Sequence, residues 1–218
     1  MISIQNRITA LVKLGDFLGQ FSIEKIEKRD NIEHNELFFE GFLHQIKIAQ
    51  ESNSWFTKNN ILFALNSISK SLTYNSLYVF VKSVNLNIIS SKKVAVIMAG
   101  NIPAVGMHDV LMGLACGYTI KGKLSSLDED IPKYWLKKAI ENFPELEGRV
   151  DWVDKLNGVD FVVVTGSDST ARTFEYYFRE TPKVVRKNRN SLAVLKGNES
   201  KEEMIALGED IFAYFGLG

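Results

Sequence analysis

The hydrophobic pattern of this chain changes near residue 90, and the change limits the folds that the chain can adopt. Before it, apolar residues recur every three or four positions, as from Ile4 to Leu18, which predicts amphipathic helices. No proline precedes Pro103, so nothing interrupts long helices there. After it, short runs rich in β-branched residues alternate with helical patterns. The chain is therefore predicted to be a helical region followed by an α/β region.

The second region alternates strand and helix patterns almost to the last residue. Helices are predicted at about 105–116, ended by Gly117, at about 131–143, and at 168–178, capped by Ser167. A capping box of Ser200 and Glu203 begins a last helix. Such alternation predicts a mostly parallel, open, Rossmann-like sheet covered on both faces. The predicted strands are 93–99, 118–123, 149–154, 160–165, 183–186 and 191–196.

Composition excludes several classes of function. Lys plus Arg equals Asp plus Glu, at 26 each, which argues against a dedicated binder of nucleic acid or of a membrane surface. One cysteine fits a reducing cytoplasm, and with three histidines it is too little for a closed zinc site, so no metal is assigned. Neither a signal peptide nor an apolar run of about 18 residues occurs. We expect a soluble, cytoplasmic protein.

Three strand ends carry the residues that suit a ligand, because open α/β sheets bind ligands beyond the carboxyl ends of their strands. Gly166 and Ser167 precede a helix whose first amides suit a phosphate, although a simple glycine turn with a serine cap is the alternative. Lys123 can reach a ribose or a phosphate, or can be a solvated charge. Asn101 can donate to an oxyanion or can stabilise its own turn. The Gly-x-Gly-x-x-Gly fingerprint is absent.

Together, the three segments resemble the aldehyde dehydrogenase superfamily. Gly100-Asn101-Ile102-Pro103 is similar to its Trp-Asn-x-Pro turn. Residues 115–126 are similar to its Ala-Ala-Gly-Asn-x-Val-Val-x-Lys-Pro-Ser-Glu segment, and residues 164–172 to its Phe-Thr-Gly-Ser-x-x-x-Gly-Arg segment. The order and the spacing of the segments are similar too.

Within the superfamily, the acyl-CoA reductases are the most similar group, including the LuxC-like fatty-acid reductases of bacterial luminescence. Residues 186–191 and 210–218 carry this likeness, and the resemblance covers roughly residues 90–218. The hydrophobic pattern and the resemblance together predict three parts: a helical region at 1–90 from the pattern, and, from the resemblance, a dinucleotide-binding α/β region at 91–197 and a helix at 198–218 that leads toward a catalytic domain.

The resemblance also implies roles for particular residues. Asn101 would be catalytic and would donate a hydrogen bond to the thiohemiacetal oxyanion. Lys123 and Ser126 would face the adenosine ribose, while Gly166 and Ser167 would approach the pyrophosphate. The residues implied to bind the dinucleotide are Met98, Ala99, Gly100, Lys123, Ser126, Gly166, Ser167 and Thr170.

Two departures from the superfamily narrow the expected activity. Its catalytic Glu, which activates the water that hydrolyses the acyl-enzyme, aligns here with Val185. An acyl-CoA reductase needs no such base, so this loss favours thioester reduction over oxidation of an aldehyde to an acid. The family spacing places the catalytic cysteine just beyond Gly218, and Cys116 on an apolar helix face is no substitute. The chain is thus expected to be a cofactor-binding part that is inactive alone.

The expected reaction of the parent protein is NAD(P)H-dependent reduction of an acyl-CoA, such as a fatty acyl-CoA, to the aldehyde through a cysteine acyl-enzyme. The alternatives are part of a CoA-acylating or ordinary aldehyde dehydrogenase, and a noncatalytic nucleotide-binding module. Expected partners are the acyl-CoA, with a homo-oligomer or acyl-transfer subunits as further candidates. A cysteine directly after Gly218 would favour the enzyme.

The expected cofactor is NADP(H), with NAD(H) as the alternative. In the superfamily an acidic residue often holds the ribose hydroxyls at the position of Ser126. A neutral serine does not repel a 2′-phosphate, and Lys123, with Lys121 two residues before it, can attract one. Asp128 or Glu129 would restore an acidic contact if either turned toward the ribose.

Overall fold

The computed structural model describes residues 2–84, 92–187 and 191–217. The expected boundary at residue 90 lies outside these residues. The α-helices are α1 (Ile4–Leu18), α2 (Asn35–Ser52), α3 (Lys58–Ser71), α4 (Tyr74–Ser83), α5 (Met107–Cys116), α6 (Asp130–Asn142), α7 (Asp168–Tyr177) and α8 (Lys201–Phe212). The strands are β1 (Lys93–Ile97), β2 (Thr119–Lys123), β3 (Val150–Trp152), β4 (Phe161–Thr165) and β5 (Lys183–Arg186).

Hydroxyl caps begin three of the first four helices. Ser3, Thr57 and Thr73 each accept a hydrogen bond from the backbone N–H three residues later, which satisfies one of the free donors at the start of α1, α3 and α4. The apolar stripes of these helices then meet in a core that includes the fully buried rings of Phe17 and Phe42, whose centroids lie 5.5 Å apart. The predicted helical region is confirmed, and its described residues form four α-helices.

The five strands form one parallel sheet in the order β3-β2-β1-β4-β5. In the centre, Val96 pairs with Gly122 of β2 on one side and with Val163 of β4 on the other. The chain runs outward from β1 to β3 and then returns to the other side of β1 for β4. The point between β1 and β4 is therefore the topological switch, where open sheets of this kind leave a crevice at their carboxyl ends. The Rossmann-like α/β class predicted from the sequence is confirmed.

Side chains of β1 alternate between two unequal layers, because successive residues of a strand point to opposite faces. Val94 and Val96 join the large core formed with α1–α6. Ala95 and Ile97 join a small core with residues of β4 and with Phe178, just after α7. Helix α1 packs on α5 and α6, and α2 packs on α6, so the first face carries two helical layers.

One predicted strand is wrong. Residues 191–196 have no regular structure, and Leu192 and Val194 are 90% and 81% exposed. The apolar run from Leu192 to Leu195 favours a strand, but a strand also needs a neighbour that completes its hydrogen bonds, and no such pairing forms in this part of the chain. The other local signals agree with the structure: Gly117 ends α5 with a φ of 90°, and the capping box of Ser200 and Glu203 begins α8.

No helix in the described ranges combines the length and the apolar character that crossing a membrane requires.

Candidate functional site

A cleft of about 630 Å³ lies beyond the carboxyl ends of β1, β2 and β3 and beside the first turns of α7. This volume is within the usual range for small-molecule and cofactor sites, about 300–1,000 Å³. Its lining residues are Ile97, Met98, Lys123, Leu124, Ser125, Ser126, Glu129, Lys133, Trp152, Val153, Asp154, Thr170 and Phe174. Four of the predicted site residues, from three separate segments of the sequence, meet here: Met98, Lys123, Ser126 and Thr170.

Lys123 ends β2 inside the cleft, and its Nζ donates to the backbone carbonyl of Asp154 at 3.1 Å. The lysine is therefore tethered to the loop that follows β3, and its charge stays within the cleft. Lys121, two residues earlier, donates instead to the carbonyl of Asn157 at 3.1 Å and does not line the cleft. The two lysines of β2 are thus only two residues apart in the sequence, but Lys123 lines the cleft and Lys121 does not.

An acidic and a basic side chain neutralise each other at the mouth of the cleft. Glu129 and Lys133, one helical turn apart at the start of α6, form an ion pair, and both line the cleft. Ser126 is exposed beside them. Of the two acidic residues considered for the ribose, Glu129 is thus at the cleft.

Asp128 lies in the wall behind the cleft. Its side chain is buried, and Oδ2 accepts a hydrogen bond from the backbone N–H of Ala104 at 2.6 Å, while Oδ1 finds no partner within the described residues. Burial raises the pKa of this carboxyl to about 7, the nearby charge of Asp130 adds to the rise, and the Ala104 bond opposes it. Ala104 has a φ of 57°, which is unfavourable for a residue with a side chain, so this bond holds a strained turn.

Two predicted glycines serve packing between protein segments. A Cβ at Gly100 would lie 2.3 Å from Oγ of Ser125, so only glycine lets the turn after β1 approach the turn after β2. A Cβ at Gly166 would lie 2.8 Å from Cγ2 of Thr170, in the first turn of α7. Gly100 and Gly166, like Ala99, are absent from the lining of the cleft.

Ser167 caps α7 as predicted. Its Oγ accepts from the backbone N–H of Thr170 at 3.4 Å and lies 2.9 Å from Oγ of Ser169. Ser167 itself does not line the cleft, whereas Thr170 does. The amino end of α7, with its partial positive charge, therefore adjoins the cleft through Thr170.

Asn101 is exposed and lies outside the lining of the cleft. Its Nδ2 donates to the backbone carbonyl of Leu217 at 2.9 Å, across 116 positions of sequence. An amide nitrogen carries two N–H groups, and this bond uses one of them. The contact with Leu217 could not be anticipated from the sequence.

The end of β3 supplies site residues that sequence reasoning missed. Trp152, Val153 and Asp154 line the cleft, and the buried indole N–H of Trp152 has no acceptor within the described residues. The rule used for the other strand ends also applies to β3, so the predicted strand at 149–154 was a sufficient signal. Phe174, one turn beyond Thr170 on α7, was likewise not assigned to the site.

A charged contact joins β5 to α5. Arg186, at the end of β5, bonds Oδ2 of Asp109 at 2.5 Å through Nη1. Burial by itself would raise the pKa of Asp109, but hydrogen bonds from His108 and Arg186 outweigh it and lower that pKa. Asp109 therefore stays ionised in the first turn of α5, where a negative charge is favourable.

Cys116 lies at the end of α5 and is buried. Burial raises the pKa of its thiol, although Arg7 partly opposes the shift. The reactive thiolate is thus disfavoured, which agrees with the expectation that Cys116 is not the nucleophile.

No family model matches this sequence, and no curated protein matches it. The fold and the cleft define the class of the protein: a parallel α/β protein of Rossmann-like topology with a polar cleft at the carboxyl ends of its strands.

Proposed function

We propose that the cleft binds a nicotinamide dinucleotide and that the chain is the cofactor-binding part of an acyl-CoA reductase similar to the aldehyde dehydrogenase superfamily. The observation that carries the proposal is the convergence of Met98, Lys123, Ser126 and Thr170 on one cleft at the topological switch edge of the sheet. The superfamily resemblance assigns these four residues to one cofactor.

The chemistry of the lining fits such a ligand. Lys123 and the amino end of α7 supply positive charge for phosphate groups, Trp152 and Phe174 supply apolar surface for a ring, and Ser126 with Glu129 supplies acceptors for ribose hydroxyls.

In the proposed reaction, acyl-CoA acylates the thiol of a catalytic cysteine, whose position the resemblance implies, and free CoA leaves with the thiol proton. The dinucleotide, when bound, would supply a hydride to the thioester carbonyl, after which the C–S bond breaks, the aldehyde leaves and the cysteine returns to its thiolate. Asn101 donates its second N–H to the carbonyl oxygen as negative charge develops there. Ser126 carries no charge that would repel a 2′-phosphate, and the nearby carboxylate of Glu129 is paired with Lys133, so NADP(H) is the proposed cofactor. The cytoplasm is the proposed location.

The binding step is tested by calorimetry with NADPH and NADH. We expect Lys123→Ala to weaken NADPH binding by about tenfold or more, because a hydrogen bond to a charged group contributes about 1.5–3 kcal/mol. Lys121→Ala is the matched control and should leave affinity unchanged, since Lys121 lies outside the cleft. Absence of dinucleotide binding, or an equal loss in both variants, would overturn the assignment.

The catalytic step is tested in any longer form of the protein whose sequence carries a cysteine at the position that the resemblance implies. There we expect Asn101→Ala to lower acyl-CoA-dependent oxidation of NADPH by about 100–1,000-fold, the usual effect of losing one oxyanion donor. Cofactor affinity should change little. Wild-type turnover in that variant would leave Asn101 as a turn residue only, and sustained turnover by residues 1–218 alone would place the nucleophile elsewhere.

A further inference from the structure

The resemblance to the reductases begins near residue 90 and assigns nothing to the helical region, yet two exposed aromatic side chains of that region contact the far end of the chain. Trp55 precedes α3 and packs against Phe215, with ring centroids 5.6 Å apart at 72°. Phe63, on the outer side of α3, packs against Tyr214 at 5.6 Å and 65°. Both are edge-to-face contacts, the favourable geometry for aromatic pairs.

The segment that receives these contacts is the C-terminal turn (residues 213–217). Tyr214 and Phe215 have φ values of 50° and 60°. Two consecutive bulky residues in the left-handed region are strained, and such strain persists only where surrounding contacts hold it. Helix α8 cannot hold the turn against the body of the protein, because it buries none of its own residues there.

The C-terminal turn has a third attachment, the hydrogen bond from Nδ2 of Asn101 to the carbonyl of Leu217. The two ring contacts and this bond fix the turn at neighbouring points along five residues. Trp55 is itself held on both sides: its N–H donates to Oδ1 of Asn53, and its carbonyl accepts from Nδ2 of Asn60. The helical region therefore offers a fixed base for the turn.

We propose that Trp55 and Phe63 are positioning residues, which seat the C-terminal turn so that the carbonyl of Leu217 fixes the orientation of the Asn101 amide. A carbonyl accepts only from the nitrogen side of that amide, so the contact excludes the flipped orientation. The second N–H is then directed away from Leu217 and is available to an oxyanion. The catalytic role of the Asn101 orientation rests on the proposed function. The contact of Trp55 and Phe63 with the C-terminal turn does not depend on that function.

The test compares two double variants by nuclear magnetic resonance. In Trp55→Ala/Phe63→Ala, we expect the side-chain amide resonances of Asn101 to move and the backbone N–H of Leu217, which donates to the carbonyl of Tyr214, to exchange faster with solvent. Tyr74→Ala/Tyr78→Ala is the matched control, because these two rings also belong to the helical region, are exposed and stack on each other. The control should leave both signals unchanged.

A third double variant, Trp55→Tyr/Phe63→Tyr, retains aromatic rings and should restore the wild-type signals. All four replaced side chains are substantially exposed, so we expect the variants to fold, which far-ultraviolet circular dichroism checks. The proposal would be overturned if the folded Trp55→Ala/Phe63→Ala variant kept wild-type Asn101 resonances and wild-type Leu217 exchange. It would also be overturned if Tyr74→Ala/Tyr78→Ala changed both signals by the same amount. Calorimetry with NADPH tests the proposed function separately, so the two can fail independently.

Discussion

The two faces of the parallel sheet differ in how deeply they are covered. The face that includes Val94 and Val96 lies under α5 and α6, and these lie under the first helices, so that one core runs through both layers. Within the described residues, the face that includes Ala95 and Ile97 is covered by one helix, α7, together with Leu156 of the loop after β3, and Phe178 is its main aromatic residue.

The cleft lies at the strand ends between the two cores. Ile97, Val153 and Phe174 belong to or pack against the small core, whereas the lining residues Met98, Leu124 and Trp152 belong to or pack against the large one. A single helical layer leaves the strand ends accessible beside it, whereas a second layer supplies the burial that a stable fold needs. The difference indicates that stability is concentrated on the face with two helical layers, while the cleft takes its lining residues from both cores.

The comparison predicts unequal costs for removing one phenylalanine from each face. Phe42→Ala should cost about 3–5 kcal/mol of unfolding free energy, because the ring is fully buried between Phe17, Phe21 and Tyr134 and its cavity cannot collapse. Phe178→Ala should cost less, about 2–3 kcal/mol, since its surroundings can relax toward solvent.

Urea denaturation of the two variants measures this difference, and NADPH calorimetry should show a larger change in affinity for Phe178→Ala. If Phe178→Ala is the more destabilising variant, the face that includes Ala95 and Ile97 contributes more to stability than the size of its core indicates.

The buried carboxyl behind the cleft should make stability fall with rising pH. The pKa of Asp128 is about 7 in the folded protein and near 3.8 when exposed. Between these values the folded state holds more protons than the unfolded state, so the free energy of unfolding decreases as the pH rises from about 4 to 7. Asp128→Asn keeps an acceptor for the N–H of Ala104 and should remove this decline.

Denaturation at pH 4.5, 6 and 7.5 compares the wild type with Asp128→Asn, and with Asp151→Asn on the exposed side of β3 as the control. If the free energy of unfolding depended on pH in the same way in the wild type and in Asp128→Asn, folding would not raise the pKa of the Asp128 carboxyl.

The helical layers on the face of the sheet that includes Val94 and Val96 contain a buried amine. Its titration should give the free energy of unfolding the opposite dependence on pH. Lys138 is 2% exposed, its Nζ donates to the carbonyl of Glu33 at 2.9 Å, and it also bonds Asn142. Burial lowers its pKa to about 8, against the raising effect of Glu33. Between pH 8 and 10.5 the unfolded state therefore holds more protons, and the free energy of unfolding should rise with pH.

Lys138→Met should lose this rise, while Lys137→Met, on the exposed side of the same helix, should keep it. Thermal unfolding at pH 7.5, 8.5 and 9.5 measures the slopes. A rise of the same size in Lys138→Met would assign it to other groups.

The smallest expected effect concerns the choice of dinucleotide at the cleft. Ser126→Glu should lower the affinity for NADPH relative to NADH by about fivefold, since one exposed charge contact is worth at most about 1 kcal/mol. Calorimetry measures both affinities, and Ser126→Gln, of the same size without the charge, is the control. If the wild type rejects NADPH, or the ratio is the same in all three proteins, Ser126 does not face the 2′ position.

Much of the fold was predictable from the sequence because its signals are local. Ser167 and the Ser200–Glu203 box start helices through bonds within one turn, and Gly117 ends a helix through its own φ, so each works before any tertiary contact forms. The site was predictable only in part. Met98, Lys123, Ser126 and Thr170 follow from the rule about strand ends, whereas Asn101 and Gly166 do not line the cleft.

Short-range chemistry in the sequence determined where the helices begin and end, which runs can be strands and which strand ends carry polar groups. Tertiary structure alone decided the strand order, the absence of a strand at 191–196, the burial of Asp128 and the contact between Asn101 and Leu217. Each of these depends on groups far apart in the chain. A hydrogen-bonding neighbour, a burying layer or a distant carbonyl has no fixed sequence separation, so no local pattern can specify it.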